Sequence, residues 1–373
     1  MVSPTSPPAV TPSPLIDTQT HGIAPPSDLA GPLWPQPNLW HTRSRINTLV
    51  DRYLSVAALS DRLNDLPHQL AHPTVRPWPS LEWNAIHPSQ IIGLSPETFQ
   101  HILLGIINTE LPIQGYSQTS RQYLTPVHPG LAYFVGGQIN AAGKRTEKGL
   151  WQREEQRHGP ALMRVYRLLS GHQPPLNPHQ PRAYCPTTTP HDDLYRHGMH
   201  RVATEYSATC LYIWLMAHTT GPLQQVFLEL VKDEMNHMVK FWGFGVWLFP
   251  QKNWGAMVWQ VIGRQLLSLV PKLGRSPLPV HPLPHPTSIP PSSPAPTFQA
   301  EAVDMGFMPR MLHTLRRMRQ ELAWHQWSWH HRWEFFYTFI RIMQRLQTWH
   351  HTLTPTYLAQ LLGNPPVDAT IKH

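Results

Sequence analysis

The sequence predicts an all-α protein: a helical bundle with a Pro-rich, disordered N-terminus and a Pro-rich insertion towards the C-terminal end. Three observations carry this. Almost no run alternates apolar and polar residues with period two, whereas several long stretches repeat apolar residues at three and four. The chain has 373 residues, 41% of them hydrophobic, with 15 Trp. That is enough for a sizeable core and too aromatic for a wholly disordered chain. The 42 prolines are segregated into a few segments rather than spread through the apolar repeats.

The elements follow in order. Residues 1–37 are rich in Pro, Ser and Thr, lack periodicity, and read as a disordered tail. Residues 38–273 hold the bundle. Ile46, Leu49, Val50, Tyr53 and Leu54 set helix spacing within 39–70, and Pro73, Pro77 and Pro79 interrupt it. Ser95-Pro96-Glu97 is a helix start, with Ser as cap and Pro at the first helical position. That helix passes through Phe99, Ile102, Leu103 and Ile106 to about 118, with a kink expected at Pro112. Pro126, Pro129 and Gly130 mark a loop. A long helix is expected over 132–169, weakened at its start by Gly136 and Gly137, kinked by Pro160 and closed by Ser170-Gly171. A Pro-rich loop at 172–191 leads to helices over 192–217 and 223–249, joined by turn chemistry at 218–222, and to a shorter helix at 254–269. Residues 274–299 form a polyproline-like linker or insertion. Residues 300–363 read as Trp/His-rich helices packing on the bundle, and 364–373 as a tail.

Composition narrows the function classes. Two cysteines, Cys185 and Cys210, exclude a disulfide scaffold and a cysteine-only zinc site. The formal charge of +8 favours acidic partners. The basic residues are scattered, so nucleic acid is not called for. The first residues have neither a basic region nor a continuous apolar run, so no secretory signal is expected and the location reads as cytoplasmic. The apolar stretch 206–228 is broken by its own turn and does not read as membrane-spanning.

Two segments carry chemistry. Glu154-Glu155-Gln156-Arg157-His158 and Asp233-Glu234-Met235-Asn236-His237 each hold an acid followed by Glu-x-x-His on an expected helix. Residues three apart share a helix face, so each Glu and His can reach one point. The chain has only 22 acids, and two more lie on helices in the right places, Glu110 and Glu205. The order Glu, Glu-x-x-His, Glu, Glu-x-x-His is the ligand set of a ferritin-like di-iron four-helix bundle. The midpoint of Glu205 and Glu234 falls inside the 218–222 turn. In an antiparallel hairpin both acids would then lie at one depth, about a dozen residues or roughly 18 Å from the turn. The midpoint of Glu110 and Glu155 falls just beyond the Pro129-Gly130 break. The expectation is two Fe ions, cycling between Fe2+ and Fe3+. Glu155 and Glu234 would bridge them, Glu110 and His158 would complete one, and Glu205 and His237 the other. Asp233 is expected to accept a hydrogen bond that orients a ligand histidine.

From Glu110 to Phe249 the chain resembles the soluble acyl-carrier-protein desaturases. Glu154-Glu155-Gln156-Arg157-His158-Gly159 is similar to that family's Glu-Glu-Asn-Arg-His-Gly, and Leu168-Leu169-Ser170-Gly171 follows at the family's interval. Asp233-Glu234-Met235-Asn236-His237 is similar to its Asp-Glu-Lys-Arg-His, and Glu110-Leu111-Pro112 to its Glu-Ala-Leu-Pro. The resemblance implies an enzyme that uses dioxygen, takes electrons from a ferredoxin-type donor, and desaturates an acyl chain held on acyl carrier protein. Where the family has Thr three residues after the third ligand Glu, this chain has Ala208. Thr209 stands one residue later, a spacing similar to di-iron hydroxylases, and is the candidate catalytic hydroxyl, beside the plainer reading of a hydroxyl bonded to its own helix. A di-iron hydroxylase or N-oxygenase of a non-acyl substrate, and a ferritin-like protein that handles iron or peroxide, are the alternatives.

Other features read more plainly. The Trp-rich stretch 241–259 is expected to pack in the core, with an acyl channel or a weak membrane-surface contact as the other readings. His325, His330, His331, His350 and His351 read as surface or packing histidines rather than a second metal site. Arg316, Arg317 and Arg319 read equally as a solvated face or a docking patch for an acidic carrier. A homodimer is compatible with the sequence.

Overall fold

The apolar spacing becomes helix in the computed structural model of the protein, which describes residues 39–126, 128–250, 322, 324 and 327–364. The described residues are mostly helical, with little strand. The expected tail at 1–37, the helix at 254–269, the insertion at 274–299, most of 300–326 and the end from 365 lie outside the described residues, as do Arg316, Arg317, Arg319 and His325.

The first apolar pattern forms α1 (Leu39–Tyr53), α2 (Val56–Asn64) and α3 (Leu66–Ala71). Ile46, Leu49, Val50 and Leu54 are sealed in the core. Ser55 divides α1 from α2, its hydroxyl accepting the N–H of Ala58 at 3.2 Å. Residues 73–82 are not helical, as their prolines require. Ser95 and Pro96 open α4 (Pro96–Glu110) as expected, the Ser95 hydroxyl accepting the N–H of Thr98 at 3.1 Å. The kink expected at Pro112 is a full break. α4 ends at Glu110 and α5 (Ile113–Leu124) begins after the proline, which has no N–H to continue the ladder.

The single helix expected over 132–169 is corrected. The chain forms α6 (Pro129–Gly136), an antiparallel hairpin of β1 (Gln138–Ile139) and β2 (Arg145–Glu147), then α7 (Leu150–Glu155) and α8 (His158–Ser170). Gly136 and Gly137 propagate helix poorly, and Gly137 turns to φ 75°, which ends α6. The Asn140 side chain then accepts the N–H groups of Ala142 and Lys144 at 3.1 and 2.9 Å, closing the hairpin turn. Between α7 and α8, Pro160 offers no N–H to the Gln156 carbonyl. The chain tightens there, with the Arg157 N–H donating to the Glu154 carbonyl at 3.3 Å.

The Pro-rich crossing at 172–189 lies along α4 and α5. The His179 N–H donates to the Asn108 carbonyl at 3.0 Å, and the Thr119 hydroxyl to the Arg182 carbonyl at 3.0 Å. Gly115 permits this approach, because a Cβ there would meet Pro181 Cγ at 2.3 Å. α9 (Pro190–Ala217) and α10 (Gly221–Leu248) follow, joined by three residues and packed along their lengths. α11 (Trp329–His350) packs on α1 and α9, and α12 (Pro355–Leu362) on α10.

Trp151, Trp214, Trp242 and Trp349 are the largest sealed side chains, and each such burial contributes about 1.5–3 kcal/mol or more. Phe241, Trp242, Phe244 and Trp247 are buried, so the described part of the Trp-rich stretch packs in the core. Cys210 is buried and Cys185 exposed, and neither is in a disulfide. Among the described residues, no helix is long and apolar enough to cross a membrane.

Candidate metal centre

Four helical segments converge on one buried cluster. α4 brings Glu110 at its last residue, α7 and α8 bring Glu155 and His158, α9 brings Glu205, and α10 brings Glu234 and His237. Two overlapping sets result: Glu110, Glu155, His158 and Glu234, and Glu155, Glu205, Glu234 and His237. Within each set the donor atoms lie within 4.8 Å of one another. Glu155 and Glu234 belong to both. All six residues singled out from the sequence as metal ligands therefore meet.

The turn at 156–157 does not part Glu155 from His158, whose Nδ1 lies 3.3 Å from Glu155 Oε2 and 3.2 Å from Glu234 Oε1. On the other side, Nδ1 of His237 lies 2.7 Å from Glu155 Oε1 and 3.6 Å from Glu205 Oε2. These approaches lie off the axis of a hydrogen bond. Both Nδ1 atoms, Glu155 Oε1 and Glu234 Oε1 are buried with no hydrogen-bond partner. Buried polar atoms without partners are rare. Four of them, turned to one place and made up of two imidazole nitrogens and two carboxylate oxygens, fit a site for metal ions.

The outer nitrogens of the two imidazoles are braced. Nε2 of His158 lies 3.1 Å from Asp233 Oδ2, and Nε2 of His237 lies 2.9 Å from Glu154 Oε2. Each brace is the acid that precedes a ligand glutamate, and each reaches the histidine of the opposite helix. A carboxylate there holds the proton on Nε2 and leaves Nδ1 as a lone-pair donor. The braces are themselves fixed. Asp233 accepts from Arg76 Nε at 2.8 Å, Arg157 Nη2 at 2.7 Å and Trp78 Nε1 at 3.0 Å. Glu154 accepts the backbone N–H of Arg76 at 2.8 Å. Arg76 also pairs with Glu229 at 2.5 Å, and the Arg157 guanidinium lies 4.8 Å from the Trp78 ring centroid. The Tyr212 hydroxyl donates to Glu110 Oε1 at 2.9 Å.

The electrostatics are those of groups competing for positive charge. Burial would lower both imidazoles, but Glu155 and Asp233 raise His158 well above its ordinary value, and Glu154, Glu155 and Glu205 do the same for His237. Burial and the Glu155 charge push Glu234 well up. Burial outweighs the help Glu110 receives from His158, and its carboxyl is raised too. Burial would raise Glu155 and Asp233 as well, yet the imidazoles, with Arg76 at Asp233, hold both below the usual carboxylate range.

Thr209 is fully buried on α9, and its Oγ1 has no hydrogen-bond partner. The bond to its own helix, expected on the plainer reading, is not made. His331 and His350 do hold packing bonds, to the Gly93 carbonyl at 2.9 Å and from Trp242 Nε1 at 3.3 Å, while His330, at the surface, lies 2.9 Å from Glu334 Oε1.

Several residues of the site escaped the sequence reading. Arg76 and Trp78 sit in a segment that looked like a mere interruption between helices. Glu154 had a signal, since an acid precedes both Glu-x-x-His motifs. Tyr212 lies seven residues, or two helical turns, beyond Glu205 on one face. A comparison of the chain with protein-family models, curated proteins and solved structures finds no match.

Proposed function

We propose that the protein is an oxygen-dependent di-iron oxidoreductase with a ferritin-like bundle, acting on unactivated C–H bonds of an acyl chain. The observation that carries this is the pair of overlapping donor sets sharing Glu155 and Glu234. In this reading Glu155 and Glu234, common to both sets, would help hold both ions, with Glu110 and His158 completing the site of one and Glu205 and His237 that of the other. When bound, two iron ions would supply the dioxygen chemistry and electrons that no side chain provides.

The chain's own residues do the rest. Asp233 and Glu154 hold the protons of His158 and His237 on Nε2 and aim each Nδ1 inward. Tyr212 fixes one oxygen of Glu110. The apolar packing of α9 and α10 excludes bulk water from the carboxylates. Thr209 Oγ1, four residues after Glu205, is the hydroxyl that could hold or pass a proton. That same spacing favours a second reading, hydroxylation rather than desaturation of the chain.

The resemblance to acyl-carrier-protein desaturases adds a carrier-bound fatty acyl substrate and a ferredoxin-type donor, and the setting in this reading is cytoplasmic. The net charge of +8 suits two acidic partners.

The test is iron content after anaerobic ferrous reconstitution. About two irons per chain are expected in the wild type, falling sharply in Glu234→Ala. Little iron in a folded wild-type protein would sink the reading. Fatty-acid profiles of expressing cells then separate the outcomes. An unchanged profile with rapid peroxide consumption would favour an iron- or peroxide-handling protein instead.

A further inference from the structure

Arg201 stands one helical turn before Glu205 on α9 and is 8% exposed. Its Nε is sealed from solvent without a hydrogen-bond partner. Among the described residues, no oxygen accepts from the rest of its guanidinium and no carboxylate is in ion-pair contact with it. The other two arginines near the cluster, Arg76 and Arg157, are by contrast paired with Glu229 and Asp233. Glu205 and Glu155 act on the Arg201 charge through space but do not offset the cost of its burial. Its direct side-chain contacts are aromatic. Its central carbon lies 5.7 Å from the Tyr116 ring centroid and 5.6 Å from that of Trp151. Aromatic contacts engage the face of a guanidinium, whereas its N–H donors lie in its plane and remain free for a carboxylate.

Position supplies the second observation. Trp151 stands one turn before Glu155 on α7, as Arg201 stands one turn before Glu205 on α9. The Trp151 ring neighbours both the guanidinium and the donor cluster, with its centroid 6.4 Å from that of the His237 ring.

We propose that Arg201 anchors the carboxylate of a free acid substrate, whose apolar body runs along Trp151 towards the donor cluster. This rests on reading the cluster as an oxygen-activating metal centre. It replaces the carrier-bound acyl group with an unesterified acid, because a thioester carbonyl has no charge to offer the guanidinium. The substrate class is a monocarboxylic acid with an apolar chain. The carboxylate would take two in-plane N–H donors side by side, the geometry in which arginine binds such groups best.

The test is calorimetric titration of the full-length, iron-loaded chain, kept anaerobic, with decanoate and with methyl decanoate. Decanoate is expected to bind about ten-fold or more tightly than its ester. Arg201→Met should abolish that preference while leaving ester affinity and iron content unchanged. Arg201→Lys, which keeps the charge but not the fork, should retain part of the preference, and it decides the matter if the Met variant does not fold. Equal binding of acid and ester, binding of neither, or a preference that survives in Arg201→Met would overturn the anchor. Iron measured on the same samples keeps the two readings apart. An Arg201-dependent preference for the acid in a chain that takes up no iron would remove the metal reading alone, and full iron loading without the preference would remove the anchor alone.

Discussion

A histidine donates to a metal only through the nitrogen that its other hydrogen bond leaves bare, so the braces on His158 and His237 matter as much as the ligands. They are crossed: Asp233 of α10 holds the histidine of α8, and Glu154 of α7 holds the histidine of α10. Each Glu-x-x-His motif therefore orients the other. Glu154→Gln keeps the shape but replaces the anion facing Nε2 with a neutral amide. Iron affinity is expected to fall about 10–100-fold with the helix content unchanged, measured by competition with a chelator and by circular dichroism. Unaltered affinity would mean that ring packing alone orients His237. Asp233 was legible as a brace because of its place in the motif. Arg76, which donates to both Asp233 and Glu154, was not, since it is 157 residues from Asp233 in sequence and no local pattern announces so distant a pairing. Arg201 was invisible for a related reason: in a basic chain an arginine draws notice only once it is seen to be buried without a direct ion pair.

At the scale of elements, legibility followed how local the cause was. The α9–α10 hairpin could be read because its turn chemistry and its apolar repeats are continuous in sequence. The caps at Ser95 and Gly171 are equally local. The stretch from α6 to α8 was misread as one helix because its apolar residues keep helical spacing while Gly136, Gly137 and Asn140 divert the backbone. The symmetry of Glu110 and Glu155 about the Pro129-Gly130 break paired the right residues, but α5, α6 and a β-hairpin intervene where a simple turn was expected. On α10 one further residue has a measurable consequence. Lys240 is buried against Gln69 of α3 and lies 3.5 Å from Asp65. Burial lowers its pKa from 10.5 to about 8, with Asp65 opposing. Between those two values the unfolded chain binds a proton that the folded chain does not, so stability rises with pH through this window. Below it both states are charged and the folded state bears the full penalty, on the order of 3 kcal/mol. Lys240→Met should raise the melting temperature at pH 7, and the advantage over wild type should shrink as pH rises from 8 to 10.5. An advantage that stays constant to pH 10.5 would show that packing, not charge, accounts for it.

At the scale of the whole molecule, the centre sets stability against binding. Burying Glu110 and Glu234 beside Glu155 opposes folding, because burial and the Glu155 charge penalise their charged forms. The crossed braces and the apolar contacts of α9 and α10 hold the cluster together against this. A cation that binds only the folded chain offsets the penalty by mass action, about 3–4 kcal/mol at 100 to 1,000 times its dissociation constant. Replacing one carboxylate should therefore act in opposite directions with and without metal. After treatment with a chelator, Glu234→Ala is expected to melt at a higher temperature than wild type, because it removes a buried carboxyl at the price of a small cavity. After anaerobic ferrous loading the order should reverse, with wild type gaining several degrees and Glu234→Ala little. Calorimetric scans of both proteins in both states test this. A variant that is less stable than wild type by the same margin in both states would mean that Glu234 serves packing alone, and that the charge gathered at the centre of these helices is not balanced by an ion.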